Sequence, residues 1–131
     1  MSDSAAHRLR LRISSGHYSL GRLSPSAAIP PWADGEGFVS LARTADELSI
    51  ICASERMPRD VTRVDGYVVI GVEGPLAPEL VGILASMAGP LASASIPIVA
   101  VGTYDTDYVM VREVDLDRAT ATLQAAGHTF I

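Results

Sequence analysis

The stretch GYVVIGVEGPLAPELVGILASMAGPLA, residues 66–92, decides the fold. Residues 67–72 form a continuous apolar run bounded by Gly66 and Gly74, the pattern of a strand buried on both faces. Gly74, Pro75 and Pro78 then turn the chain, since Gly and Pro at that density interrupt regular structure. From Glu79 onward apolar residues recur at Leu80, Ile83, Leu84, Met87 and Leu91, the i, i+3, i+4, i+7, i+11 spacing of one helical face. A buried strand, a turn and an amphipathic helix therefore follow one another.

Downstream, Gly89 and Pro90 predict an irregular last helical turn, and Pro97 opens the next strand. Residues 98–101 and 108–111 are short β-type runs joined by the polar segment 102–107, which reads as a hairpin. Asp115 is placed to cap a second helix running through Ala126, with Gly127 ending it and residues 129–131 closing as a strand. Strand, helix, strand, strand, helix, strand is the ferredoxin-like βαββαβ order of an α+β fold.

Upstream, Leu9, Leu11 and Ile13 alternate with Arg8, Arg10 and Arg12, the period-two signature of a half-buried strand. Tyr18 and Leu20 continue in extended form before a loop holding Pro25, Pro30, Pro31, Asp34 and Gly35, where a helix is hard to sustain. Trp32 in this loop either closes over a ligand cleft or caps the core edge; the apolar area of an indole under an irregular loop favours the cap. Residues 38–42 and 48–52 read as another hairpin across a tight connection at 44–47. Residues 58–66 are polar and contain Pro, Asp and Gly, so they read as the connection between two halves. The expected organisation is a degenerate first copy over residues 1–64, its first helix replaced by Pro-rich sequence, and a complete copy over residues 65–131.

Composition narrows the function. With 48% apolar and 19% charged residues the chain has enough apolar content for a packed core, which excludes a disordered chain. A net charge of −5 disfavours a phosphate-tracking surface, so no nucleic-acid partner is expected, and the arginines at 8, 10 and 12 read as one solvated strand face. The longest apolar segments, 80–87 and 96–101, fall short of the roughly 20 residues a membrane span needs. The opening MSDSAAHRLR has no apolar core of a signal peptide, and the single cysteine, Cys52, has no partner for an intrachain disulfide. A soluble protein of the reducing cytoplasm is expected, with Cys52 a small buried hydrophobe beside Ile50 and Ile51.

No catalytic signature is present: Ser86 and Ser93 have no nearby His in sequence, and phosphate-binding and dinucleotide fingerprints are missing. His7, His17 and His128 lack metal-ligand spacing, and Asp105, Asp107, Glu113, Asp115 and Asp117 do not match a calcium loop. The expectation is a non-enzyme without metal or cofactor. Residues 103–107 instead offer hydroxyls, backbone amides and two carboxylates, suited to an α-amino or α-carboxylate group. The plainer alternative is that Asp105 and Thr106 only stabilise their own turn. Gly82, expected inside the helix, costs about 1 kcal/mol relative to Ala. Close approach of a ligand or partner backbone, or tight helix-to-sheet packing, would account for it.

The segments FVSLARTADELSIICASE, GPLAPELVGILASMAGPLASASIPIVAVGTYDTDYVMVRE and the terminal helix resemble a small bacterial family of tandem ACT-domain proteins along nearly the whole chain. GILASMAGPLA followed by GTYDTDYVMV is the most specific part, and RTADELSI supports the same family from the first half. The resemblance extends to the CASTOR-type arginine sensors of eukaryotes. It implies a ferredoxin-like tandem ACT fold, regulatory amino-acid binding and a homodimer. The ligand would lie between ACT units, near the first strand-to-helix loop and the hairpin turn. Carried over here, the site comprises Glu79, Leu80 and Gly82 with Thr103, Tyr104, Asp105, Thr106 and Asp107, the last and Thr103 being favoured for contact. In the arginine sensors an acidic side chain lies just before the glycine matched by Gly82; Leu80 stands at that position here and Glu79 one place earlier, which argues against arginine. The expected function is a sensor or regulatory protein for an amino acid or similar small metabolite. The alternative is an interaction protein that oligomerises through ACT-like sheets and retains a vestigial site.

Overall fold

The computed structural model describes residues 7–131; residues 1–6, most of the segment read above for its lack of an apolar core, lie outside the described residues. In chain order the strands are β1 (Arg10–Ile13), β2 (Tyr18–Leu23), β3 (Ser40–Arg43), β4 (Leu48–Ala53), β5 (Thr62–Val72), β6 (Val99–Gly102), β7 (Asp107–Arg112) and β8 (Thr129–Phe130). The helices are α1 (Ile83–Ser93) and α2 (Leu116–Ala125). Two compact units result, one of Ser14–Val68 and one that joins the described residues before Ser14 to Val69–Ile131.

The C-terminal unit has the βαββαβ order β5, α1, β6, β7, α2, β8, the ferredoxin-like ACT arrangement. Strand β1 joins it from the N-terminal end of the chain, antiparallel to β5 and parallel to β8, with Leu11 opposite Val72 on one side and Phe130 on the other. The division expected at residue 64 thus differs from the observed one in this strand. The alternation of Leu9 and Leu11 with arginines marks a strand but carries no information about a partner so far along the chain. Leu9 and Leu11 bury with Ile70, Val72, Val109 and Val111 from the sheet, Ile83, Met87 and Leu91 from α1, and Ala119 and Leu123 from α2. Each large side chain so buried contributes roughly 1.5–3 kcal/mol.

Helix α1 begins four residues later than its apolar spacing predicts. Only Ile83, Met87 and Leu91 are buried; Leu80 lies outside the helix at 46% exposure, and Leu84 is 39% exposed. Gly82 is therefore not a helix-interior glycine but the N-cap, at φ +88, a left-handed conformation that favours residues without a Cβ. Pro90 does stand in the last turns of α1. Having no N–H, it leaves Ser86 O without its helical donor. His128 fills the gap, its Nε2 lying 2.8 Å from Ser86 O while its Nδ1 accepts the Leu9 N–H at 3.0 Å. Those two bonds assign the proton to Nε2. Helix α2 ends before Gly127 at φ +102 as expected. Asp115 sits at its N-cap position, but its carboxylate accepts from Arg118 Nη2 at 3.1 Å instead of from a backbone amide.

In the N-terminal unit β3 pairs β4, β4 pairs β2, and β2 pairs the first half of β5, all antiparallel. Strand β5 starts at Thr62, inside the segment read as a polar connection: Thr62 and Asp65 are polar because they are exposed, Arg63 because its side chain folds in and bonds to Asp65, Ser19 and backbone carbonyls, and pairing with β2 makes the segment a strand. Short 3-10 turns at Pro31–Ala33 and Ser54–Arg56 stand where a complete copy would have helices. Ala33, Leu48, Ile50, Cys52 and Met57 form the core here, with Trp32 packed half-buried against it. Burial pushes the Cys52 thiol up, against the opposing pull of Arg56 and Arg63. No helix among the described residues is long and apolar enough to cross a membrane.

Candidate functional site

Two segments of the C-terminal unit converge: the loop from β5 to α1 and the turn from β6 to β7. The turn is closed by its own side chains. Thr103 N donates to Thr106 O at 2.9 Å, Thr103 Oγ1 to Thr106 O at 3.0 Å, and Thr106 N to Thr103 Oγ1 at 3.3 Å. Two further bonds tie it across: Thr106 Oγ1 donates to Val72 O at 2.7 Å, and Leu76 N donates to Asp105 O at 2.7 Å. The approach is so close that a Cβ on Gly74 would lie 3.0 Å from Asp105 O.

Beside this crossing lies an open cleft of about 330 Å3. Of the residues singled out from sequence, Leu80, Gly82, Thr103, Tyr104, Asp105, Thr106 and Asp107 line it, and Glu79 does not. Leu76, Ala77, Pro78, Ile83 and Leu84 complete the wall. Leu76, Ala77 and Pro78 belong to the strand-to-helix loop expected at the site; Ile83 and Leu84 follow Gly82 and read in sequence only as part of the apolar face of α1.

The cleft has two chemically opposite poles. The first-turn N–H groups of α1 have no intrahelical partner, as in any helix, and Gly82 has no side chain to cap them, so they present the positive end of the helix dipole. The other pole is Asp105 and Asp107, whose carboxylates make no hydrogen bond or ion pair among the described residues. The side chain that closes the turn is Thr103; the Thr106 hydroxyl reaches across to Val72 O instead, and the Asp105 side chain makes no bond within the turn. Gly82 is held by its surroundings: Ser86 N and Ser86 Oγ both donate to Gly82 O at 2.9 Å, and His7 N donates to Ser86 Oγ at 3.1 Å. The rim is apolar and exposed, with Val81 at 77% and Tyr104 at 96%.

The N-terminal unit repeats this geometry and then closes it. Its hairpin pairs Arg43 with Leu48 as the other pairs Gly102 with Asp107, leaving four turn residues in each case. Thr44 plays the part of Thr103: Thr44 N donates to Glu47 O, and the amides of Asp46 and Glu47 donate to Thr44 Oγ1. Arg43 thereby corresponds to Gly102. Its guanidinium donates to Pro25 O and to Ala27 O, within the segment SPSA that parallels GPLA at residues 74–77. Where one unit has an open cleft, the other has an arginine bonded across.

The ACT-domain family matches residues 62–125, and a family described as an N-terminal domain matches residues 16–60. A crystal structure of an Agobacterium tumefaciens protein is 44% identical, covers 96% of this chain and 94% of its own, and superposes with a TM-score of 0.92. A Vibrio cholerae protein described as of unknown function and possibly in transport is 17% identical, covering 91% of this chain and 90% of its own, with a TM-score of 0.72. Aspartate kinase of Clostridium acetobutylicum, described as an allosteric enzyme, is 12% identical over 87% of this chain and 34% of the kinase, with a TM-score of 0.65. The last two show the fold alone. No curated protein matches. Fold and cleft together define an ACT-domain protein. Residues 62–125 belong to the ACT-domain family, and the Agobacterium protein is a relative of the chain over nearly its full length.

Proposed function

We propose that this ACT-domain protein is a sensor or regulatory module that binds an amino acid or similar small metabolite in the cleft of its C-terminal unit and performs no chemistry on it. The observation that carries the reading is the pair of opposite poles: the uncapped N-terminus of α1, whose Gly82, Ile83 and Leu84 line the cleft, and the carboxylates of Asp105 and Asp107, which line the same cleft and are unpaired among the described residues. An α-carboxylate suits the first and an α-ammonium the second. Kinship with the CASTOR-type arginine sensors fits the fold, but Leu76, Leu80, Ile83 and Leu84 make one wall apolar, which favours an uncharged ligand side chain over a guanidinium. Asp107 and Thr103 are the assigned contacts. A second copy of the chain covers the exposed rim of Val81 and Tyr104 and completes the site as a homodimer, in a reducing cytoplasm. Thermal-shift screening of ligand-stripped protein against the common amino acids tests this: a native-state ligand at a hundredfold excess over Kd adds about 2.7 kcal/mol of stability. A flat response across the panel contradicts it.

The same exposed rim favours one other reading, an interaction protein that associates through Val81, Leu84 and Tyr104 with a vestigial cleft. Sedimentation separates the two. A dimer broken by Val81→Asp whose assembly no amino acid alters supports interaction alone; assembly that tracks the bound amino acid supports sensing.

A further inference from the structure

The N-terminal unit has a cavity of its own, at the end of its strands remote from the closed turn at residues 44–47. Pairing of Tyr18 with Ala53 and with Tyr67 brings three segments together there: the entry to β2, the exit from β4, and the middle of β5. Between them lies a space of about 450 Å3, within the roughly 300–1,000 Å3 range of small-molecule sites.

Its floor is rigid. Arg63 is nearly buried, and its five N–H donors are all used: Nε to Asp65 Oδ1 at 2.8 Å, Nη1 to Met57 O at 2.7 Å and Pro58 O at 3.0 Å, Nη2 to Ser19 Oγ and Ser54 O at 3.2 Å each. Ser19, fully buried, donates to the same Asp65 Oδ1. These bonds hold the Asp65 carboxyl below its ordinary range. Both fall on Oδ1, so Oδ2 of this half-exposed side chain, which lines the cavity, is left without a hydrogen bond among the described residues. A saturated guanidinium cannot itself take a ligand; what it does is fix one carboxylate oxygen in place.

Two further charged groups line the cavity and make no hydrogen bond among the described residues: the Glu55 carboxylate and the Arg59 guanidinium, whose charge reaches Asp65 through space. Gly16, at φ +86, has nothing within 4 Å of where a Cβ would stand, so the rim there is open. Two carboxylates with one guanidinium unbonded among the described residues match neither a simple anion nor a simple cation. We propose that this cavity is a second ligand site, for a compact zwitterion whose ammonium group sits on Asp65 Oδ2 and Glu55 and whose carboxylate takes the fork of Arg59. It does not depend on the cleft of the C-terminal unit.

Amide NMR titration of the full chain with glycine, L-serine and L-glutamine tests this. Ethanolamine and 3-hydroxypropionate serve as probes carrying only the ammonium or only the carboxylate of serine. At least one zwitterion is expected to shift the Gly16, Glu55 and Arg59 signals saturably, with both single-charge probes about tenfold weaker or worse. Arg59→Ala and Glu55→Gln, surface changes that leave the floor intact, are each expected to remove the response while the rest of the spectrum keeps its folded pattern. Signals of Gly82 and Thr106 report the other cleft separately. The proposal is overturned if no zwitterion moves the three signals, if 3-hydroxypropionate acts as strongly as L-serine, or if folded Arg59→Ala responds unchanged.

Discussion

At Gly82 the chain enters α1 with a positive φ, and a Cβ in that conformation costs roughly 1–2 kcal/mol. Gly82→Ala is accordingly expected to lower stability by about that amount in denaturant titration and to weaken ligand binding, because straightening the backbone there re-aims the first amides of α1. Sequence alone singled this glycine out as needing a reason but misplaced it inside the helix, since apolar spacing continues through Leu80 and gives no sign of where the backbone turns. The turn residues 103–107 were legible for the opposite cause: hydroxyls and carboxylates crowded into a hairpin connection show their inventory without a fold. Asp65 was not legible. Its neighbours in sequence say nothing of Ser19, yet Ser19 and Arg63 depress its folded pKa below the ordinary 3.8. The unfolded chain then binds more protons in the window between the two values, so the contribution is complete above 3.8 and is lost as pH falls through the lower folded value. Acid titration of Asp65→Asn should show a shallower loss of stability than wild type below that point.

Among the elements, α1 and β1 show how a local rule is completed from a distance. Pro90 deprives Ser86 O of a donor, and the residue that supplies one, His128, stands near the end of the chain and also takes the Leu9 amide of the segment entering β1. His128→Ala removes both partners from largely buried backbone groups and is expected to cost about 2–4 kcal/mol, measured by urea unfolding. A cost within a few tenths of a kcal/mol contradicts this role. The β6–β7 hairpin and the span of α2 could be read directly, because pairing across a short turn and a stop at Gly127 are local, although the cap expected from Asp115 is not made. The allegiance of β1 could not: alternation identifies a strand, and only the register with Val72 and Phe130 says which unit it joins. The early start of β5 was hidden likewise by exposed polar residues whose backbone is nonetheless paired.

At the scale of the whole molecule the chain is one pattern used twice. Both hairpins carry a threonine whose hydroxyl accepts a turn amide, and the loop after the preceding strand contains SPSA in one unit and GPLA in the other. The difference in outcome rests on one register position, Arg43 against Gly102. The arginine bonds the loop carbonyls; the glycine leaves room beside Asp107. Because Gly102 has an ordinary backbone conformation, Gly102→Arg is expected to fold and to fill the open cleft as Arg43 fills its counterpart. Isothermal titration of wild type, Gly102→Arg and Asp107→Ala with the common amino acids therefore decides whether the open cleft is the ligand site. At least one amino acid is expected to give binding heat in wild type that disappears in both folded variants; if no amino acid gives heat that depends on Gly102 and Asp107, the cleft is not the ligand site.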